Sequence, residues 1–475
     1  MPPSEMGDPH PRQRKFAPRS RQGCLTCRAR RKRCDGQRPE CQNCTRLNLS
    51  CEWQAPRRVT ADSETSPKGF NADPSETAVA PLRPALDTWD CLPGDEFSER
   101  KHLLRYYVEA FVPSVSVADT PSSFYTHLYI PWAFECDGML NAVIALSSAQ
   151  LARRTPALDR AQHLRSVSAK HQRRCHAFLA DRVPQNGGPP KDAYQVIAVI
   201  LLLVGLEALN GEKGTRWLSQ MRSVRGILNM LSTELVLTNS MEVDALRRHF
   251  TYHNASASLM ARVLNKNVQN SVESDLSLIC PPGAPLTVDP LMGINYELCS
   301  LISQIQYVSC ANPAFPHITE AAFATIERDI LQWVYGNPIG LPGLDLPVAM
   351  DLIALAESYR LAGLIQLYRT SESHKGLIPG CATRTMEFIS RIPPGSPAES
   401  SMLYPIFLAG AELNNAPEIS KCFKRLEDIQ DRNRYENVSN VQKVLEEVWR
   451  PALNGEGKKD WEDVLQEWEW SFTLG

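Results

Sequence analysis

GCLTCRARRKRCDGQRPECQNCTRLNLSC, residues 23–51, decides how the rest of the chain is read. It holds Cys24, Cys27, Cys34, Cys41, Cys44 and Cys51. The spacing is C-x2-C-x6-C, six residues, then C-x2-C-x6-C again, so each cysteine of the first half recurs 17 positions later. The stretch is an internal duplication of one ligand-bearing unit. Thiolates are soft ligands, and zinc takes four of them in a tetrahedron. One zinc would use four cysteines and strand two; two separate zincs would need eight. Six suffice for two zinc ions if two sulfurs bridge, and the duplication points to its equivalent first members, Cys24 and Cys41. Cys27 and Cys34 then complete one metal, and Cys44 and Cys51 the other. Six thiolates on two divalent ions leave two negative charges, which nearby arginines and lysines would offset. So short a segment cannot fold on apolar burial alone, so metal binding supplies much of its folding free energy.

The two halves differ in charge. Between Cys27 and Cys34 lie Arg28, Arg30, Arg31, Lys32 and Arg33, whereas Arg46 is the one base between Cys44 and Cys51, beside Leu47 and Leu49. One half is built to meet a polyanion and the other to pack. With these residues the segment resembles the fungal binuclear zinc cluster, the six-cysteine DNA-binding domain of fungal transcription factors. Pro39, two residues before the fourth cysteine, matches that family's loop proline. The resemblance implies two short helices, each starting near a C-x2-C pair. It also implies that the C-terminal end of the first helix enters the major groove of double-stranded DNA and reads a CGG-like triplet. Where the family usually carries lysine as the base reader, this chain has Arg31. Arginine pairs bidentately with guanine O6 and N7, which keeps the role. Arg30 is the second candidate reader. Arg28, Lys32 and Arg33 are assigned to phosphates, which position a domain without reading sequence.

Two other readings of six cysteines stand beside this one. A disulfide framework calls for a secretory context, and the chain opens MPPSEMGDPHPRQRK, with no apolar signal stretch. A single four-cysteine zinc site would leave two spare thiols. Charge favours a polyanion partner. Residues 12–58 carry 14 Lys or Arg against three acids, a net +11, within a 475-residue chain whose formal net charge is -2. The remainder is therefore strongly acidic, the pattern of a basic head on an acidic body. The other eight cysteines are scattered and read as buried free thiols.

Taken in order, residues 1–22 read as a disordered basic arm, 23–53 as the zinc cluster and 54–97 as a disordered linker. That linker holds Pro56, Pro67, Pro74, Pro81, Pro84 and Pro93, through which no helix continues. No sustained heptad repeat follows the cluster, so pairing as a homodimer or heterodimer is expected through the body. From residue 98 to 475 the pattern is helical. HLLRYYVEAF sets Leu103, Tyr107 and Phe111 on one face, and a turn-rich stretch follows. Helices are expected at 139–154, 157–182 and 192–210. TRWLSQMRSVRGILNML places Trp217, Met221, Val224, Leu228 and Leu231 in one amphipathic stripe. Further helices are expected at 297–308, 350–369 and 441–449. The longest apolar run, 196–206, falls short of the roughly 20 residues of a membrane span and reads as a buried helix. The fold class is a small metal-stabilised head, a disordered linker and a large all-α regulatory domain.

That body is similar to the fungal-specific transcription factor domain. YYVEAF, LNAVIALSSAQLARR, LLLVGLEALNGEKGTRWLSQMRSVRGIL and DPLMGINYELCSLISQI carry the resemblance through their order behind a zinc cluster. The tail DWEDVLQEWEWSFTL mixes acids with aromatics and fits two roles, an activation segment or a helix packed on the body. His249 and His253 sit four apart, as do His171 and Cys175, but no H-E-x-x-H accompanies them, and core or surface pairs are the expectation. No nucleophile elbow, phosphate loop or dinucleotide fingerprint is present. The expected function is therefore non-enzymatic: a nuclear, sequence-specific regulator of RNA polymerase II genes, such as those of a metabolic or secondary-metabolite cluster. It would carry two zinc ions and contact DNA and the transcription machinery, with no membrane partner. The competing expectation is a repressor or tethering protein whose body mediates protein interactions.

Overall fold

A computed structural model of the chain describes residues 24–29, 32, 34, 35, 37, 41–45, 51, 53, 96–117, 123–182, 188–231, 241–264, 289, 293, 296–310, 319–334, 336, 344–453 and 457–475. The basic arm at 1–22 and nearly all of the linker expected at 54–97 lie outside them. The chain divides into two units, residues 1–83 and 84–475.

The first unit holds two short helices, Leu25–Ala29 and Gln42–Thr45. Each begins one residue after the first cysteine of a C-x2-C pair. Their core is made of cysteines, with Cys24, Cys27, Cys41 and Cys44 fully buried and Trp53 packed against them.

The second unit is helical, with no extended strand among the described residues. Helix Asp137–Arg154 packs against both Leu158–Arg182 and Ala193–Asn210. Met241–Leu264 packs against Ala193–Asn210, Arg216–Met230 and Tyr296–Cys310. Leu346–Tyr368 packs against Ile378–Arg391 and Leu403–Glu412. Glu436–Leu453 joins these groups, touching Ala193–Asn210, Leu403–Glu412, Ala416–Asn433 and Trp461–Trp468. One continuous apolar core results.

Sequence periodicity explains the placement. The stripe Trp217, Met221, Val224, Leu228 and Leu231 is buried along its whole length. Leu103, Tyr107 and Phe111 are buried together as the shared face required. Helix Ala193–Asn210 is long and apolar enough to cross a membrane by length and composition, yet most of it lies inside the body. Its one acid, Glu207, is buried and accepts from Arg216 Nε at 2.6 Å. Burial raises the Glu207 carboxyl above its ordinary range, against the pull of that guanidinium. Gly211 ends the helix in the left-handed region, at φ 65°, where a Cβ would meet Glu436.

The stretch read as turns between 112 and 138 instead forms three short helices, Val112–Val115, Phe124–His127 and Tyr129–Glu135. Pro113 and Pro131 signalled breaks, but each sits in the first turn of its helix, where a missing N–H costs little. Pro113 leaves its mark one turn earlier. It cannot donate to the Glu109 carbonyl, and Tyr107–Phe111 opens into a π turn, closed by Val112 N–H on the Tyr107 carbonyl.

The acid-aromatic tail packs. Helix Trp461–Trp468 buries Trp461, Val464 and Leu465, and beyond it Phe472 and Leu474 are buried too. Trp217 Nε1 donates to Ser471 Oγ at 3.0 Å, Ser471 N–H to the Lys213 carbonyl at 2.8 Å, and Leu474 N–H to Ser256 Oγ at 2.9 Å.

Candidate metal centre and nucleic-acid interface

All six cysteines of the head are free thiols, so no disulfide framework forms. Their sulfurs fall into two groups: Cys24, Cys27, Cys34 and Cys41, and Cys24, Cys41, Cys44 and Cys51. Within each group the ligand atoms lie within 4.8 Å of one another. Cys24 and Cys41 are common to both. Sulfurs about 2.3 Å from one tetrahedral zinc stand about 3.8 Å apart. Here Cys24 and Cys41 are separated by 3.7 Å, Cys24 and Cys44 by 3.8 Å, and Cys27 and Cys41 by 3.6 Å. Donor type, number and spacing therefore fit two zinc ions sharing two sulfurs. No other group of His, Cys, Asp or Glu among the described residues converges in this way.

The duplication extends to the backbone. Cys27 N–H donates to Cys24 Sγ at 3.3 Å, and Cys44 N–H to Cys41 Sγ at 3.4 Å. Cys24 N–H donates to Cys34 Sγ at 3.4 Å, and Cys41 N–H to Cys51 Sγ at 3.2 Å. Each half thus aims two amide donors at sulfur, in the same i,i+3 and i,i+10 pattern. These donors stabilise thiolate over thiol and offset part of the charge left on the cluster. The cysteine spacing carried a hint of this, because a C-x2-C pair entering a helix turns its amides back on the first sulfur.

The basic side chains assigned to DNA are described unevenly. Lys32 is exposed, and its N–H caps the first helix by donating to the Cys27 carbonyl at 3.0 Å. Arg28 lies on helix Leu25–Ala29, whose backbone alone is described at that position. Arg30, Arg31 and Arg33 lie outside the described residues. On the second helix, the Gln42 N–H is capped by Asp35 Oδ2 at 3.0 Å. That bond ties the two halves together and was not anticipated.

The histidine pairs belong to the body's interior. His249 and His253 are buried, and the Tyr129 hydroxyl shares a hydrogen bond with His249 Nδ1 at 2.8 Å. His171 Nδ1 meets Asn141 Oδ1 at 2.6 Å, and Cys175 Sγ donates to the Gly138 carbonyl at 3.7 Å.

Comparison with known proteins gives the two units their families. The fungal Zn(2)-Cys(6) binuclear cluster domain matches residues 22–59, and the fungal specific transcription factor domain matches residues 102–475. Transcriptional activator protein UGA3 of Saccharomyces cerevisiae is 21% identical over 535 residues, covering 96% of this chain and 98% of that protein. Zinc cluster transcription factor CZF1 of Candida albicans is 63% identical over 38 residues, 8% of this chain and 10% of that protein. Sterol uptake control protein 2 of Candida albicans is 48% identical over 52 residues, 11% of this chain and 7% of that protein. No solved structure matches. With its cysteine cluster in front of a helical regulatory body, the chain belongs to the fungal zinc cluster transcription factors: it is a zinc-binding, DNA-binding transcriptional regulator and not an enzyme.

Proposed function

We propose that this protein acts in the nucleus on RNA polymerase II genes, through a head spanning residues 23–53 that holds two zinc ions and reads CGG-like triplets. Cys24 and Cys41 bridge the ions; Cys27 and Cys34 complete one site, and Cys44 and Cys51 the other. The observation that carries the reading is the pair of four-sulfur groups sharing Cys24 and Cys41. When bound, the metals supply rigidity in place of an apolar core. The chain's own residues do the recognising. Arg31 reads guanine, Arg30 is the second reader, and Arg28, Lys32 and Arg33 hold phosphates. Residues 98–475 form the regulatory body, through which any pairing of two chains runs. Residues 1–22 and 54–97 are the basic arm and the linker.

Selection of duplexes from a random DNA library with the full chain tests this reading. Enrichment of a CGG-like triplet is expected, and affinity should fall steeply with salt as counterions are released. A zinc-loaded protein that enriches no sequence would overturn it.

A further inference from the structure

Inside the body lies a cavity walled by segments far apart in sequence. Tyr125, Leu146, Leu202, Leu403, Ile429 and Val438 give it apolar sides. About 90 Å³ of it is open to the centre of a water molecule. That is several times the roughly 10–15 Å³ one water needs, and it suits a single small ring or a short chain. The π turn Tyr107–Phe111 delivers Phe111 to the wall, and the segment 471–475 delivers Leu474 and Gly475.

Two polar atoms at this wall have no partner among the described residues. His253 is wholly buried, and its Nδ1 has no hydrogen bond. Asn437 is buried, donates Nδ2 to the Thr473 carbonyl at 3.1 Å, and leaves its Oδ1 acceptor unused. The other polar side chains here are engaged. Ser114 Oγ donates to the Phe111 carbonyl and accepts from Gln150, Ser400 Oγ donates to the Pro397 carbonyl, and Glu399 pairs with Arg425 and Arg432. A buried acceptor left unpaired is costly, so these two atoms call for a hydrogen-bonding guest. Burial holds His253 down to about 4 and His249 well below the ordinary imidazole range, so both rings are neutral at pH 7. No free cation awaits a carboxylate.

We propose that this cavity is a binding site for a small uncharged molecule, an apolar ring or short chain bearing one hydroxyl, whose hydroxyl bonds to His253 Nδ1 and Asn437 Oδ1. A hydroxyl both donates and accepts, so it can serve the acceptor on Asn437 and either tautomer of His253. The guest would bridge helix Met241–Leu264, helix Glu436–Leu453 and the segment 471–475, and so stabilise the body by occupancy.

Phenol is the probe, with toluene as its apolar counterpart and benzoate as its charged one. Binding to the full-length protein is followed by ligand-observed NMR titration and by calorimetry. Saturable phenol binding with Kd of about 1 mM or tighter is expected for a ligand of this size. Toluene should bind about tenfold more weakly, and benzoate more weakly than toluene. Gly205 lines the cavity, and a Cβ placed there meets nothing within 4 Å. Gly205→Leu should therefore fill the space and abolish phenol binding while helical content is kept, since leaving glycine favours the helix. His253→Phe keeps a ring in the core and should bring phenol affinity down to that of toluene. No phenol saturation below roughly 10 mM overturns the proposal. So does phenol binding that survives Gly205→Leu, or equal binding of phenol and toluene by the unaltered protein.

Discussion

Trp461→Ala separates a packing tail from an activation tail. Trp461 is 1% exposed, stands edge-on to Phe407 with ring centroids 5.1 Å apart, and lies under Arg369 at 5.0 Å. Removing a buried tryptophan costs roughly 3–5 kcal/mol, which includes the cavity left behind. The pair with Phe407 sits at the upper part of that range, because an edge-to-face contact contributes about 0.5–1.5 kcal/mol beyond area alone. The family domain spans residues 102–475. A body of that size unfolds with an entropy of about 0.8 kcal/mol per kelvin. A loss of about 4 kcal/mol therefore lowers the body's melting temperature by about 5 °C. Scanning calorimetry at one fixed scan rate measures it, with Glu467→Gln, on the more exposed side of the same helix, as the control expected within about 0.5 kcal/mol of the parent. A melting temperature unchanged by Trp461→Ala would refute the packing argument and return the tail to a free acid-aromatic segment.

Three further expectations follow from the geometry. Chelating zinc should abolish specific DNA binding while leaving the body's melting transition in place, because the cysteine core is separate from the apolar core of the second unit; calorimetry with and without chelator reads both. Arg31→Ala should cost about 1–3 kcal/mol at the preferred site and much less on random duplex, measured by competition binding; an equal loss on both would make Arg31 a phosphate contact. Arg369, largely buried, holds Glu412, Asp460 at 2.7 Å and Glu462 at 3.2 Å, so Arg369→Met should destabilise the body by roughly 3–5 kcal/mol in denaturant melts. The same variant carries a pH signature. Burial raises the Asp460 carboxyl, but Arg369 outweighs it and leaves the folded value below the ordinary one. The stability it contributes is present above about pH 4 and is lost as pH falls through the depressed folded value. Arg369→Met should flatten that part of the stability–pH curve, and an unchanged slope would show that another carboxylate sets it.

Legibility followed from how each feature is encoded. Ligand spacing is covalent, so C-x2-C-x6-C displayed both sulfur groups and their shared members before any coordinates were needed. The Trp217 to Leu231 stripe was equally plain, because one face of one helix carries its own period. The short helices around Pro113 and Pro131 were hidden, because the same residue that ends a helix also starts one. The four N–H to sulfur bonds depend on where the two short helices begin, which spacing suggests but does not fix. The cavity left no trace at all. His253 and Asn437 are 184 positions apart and meet one void only through tertiary packing. The histidine pair His249 and His253 shows the converse: their spacing invites a metal, yet aromatic neighbours and burial give them another setting.

Native mass spectrometry of the full chain, compared with Cys41→Ala, tests the shared-sulfur centre most directly. Two zinc ions per chain are expected in the parent protein, and both should be lost or weakened together in the variant, since Cys41 serves both groups. One zinc per chain in the parent, or a variant that gives up one ion and keeps the other at full affinity, would contradict it.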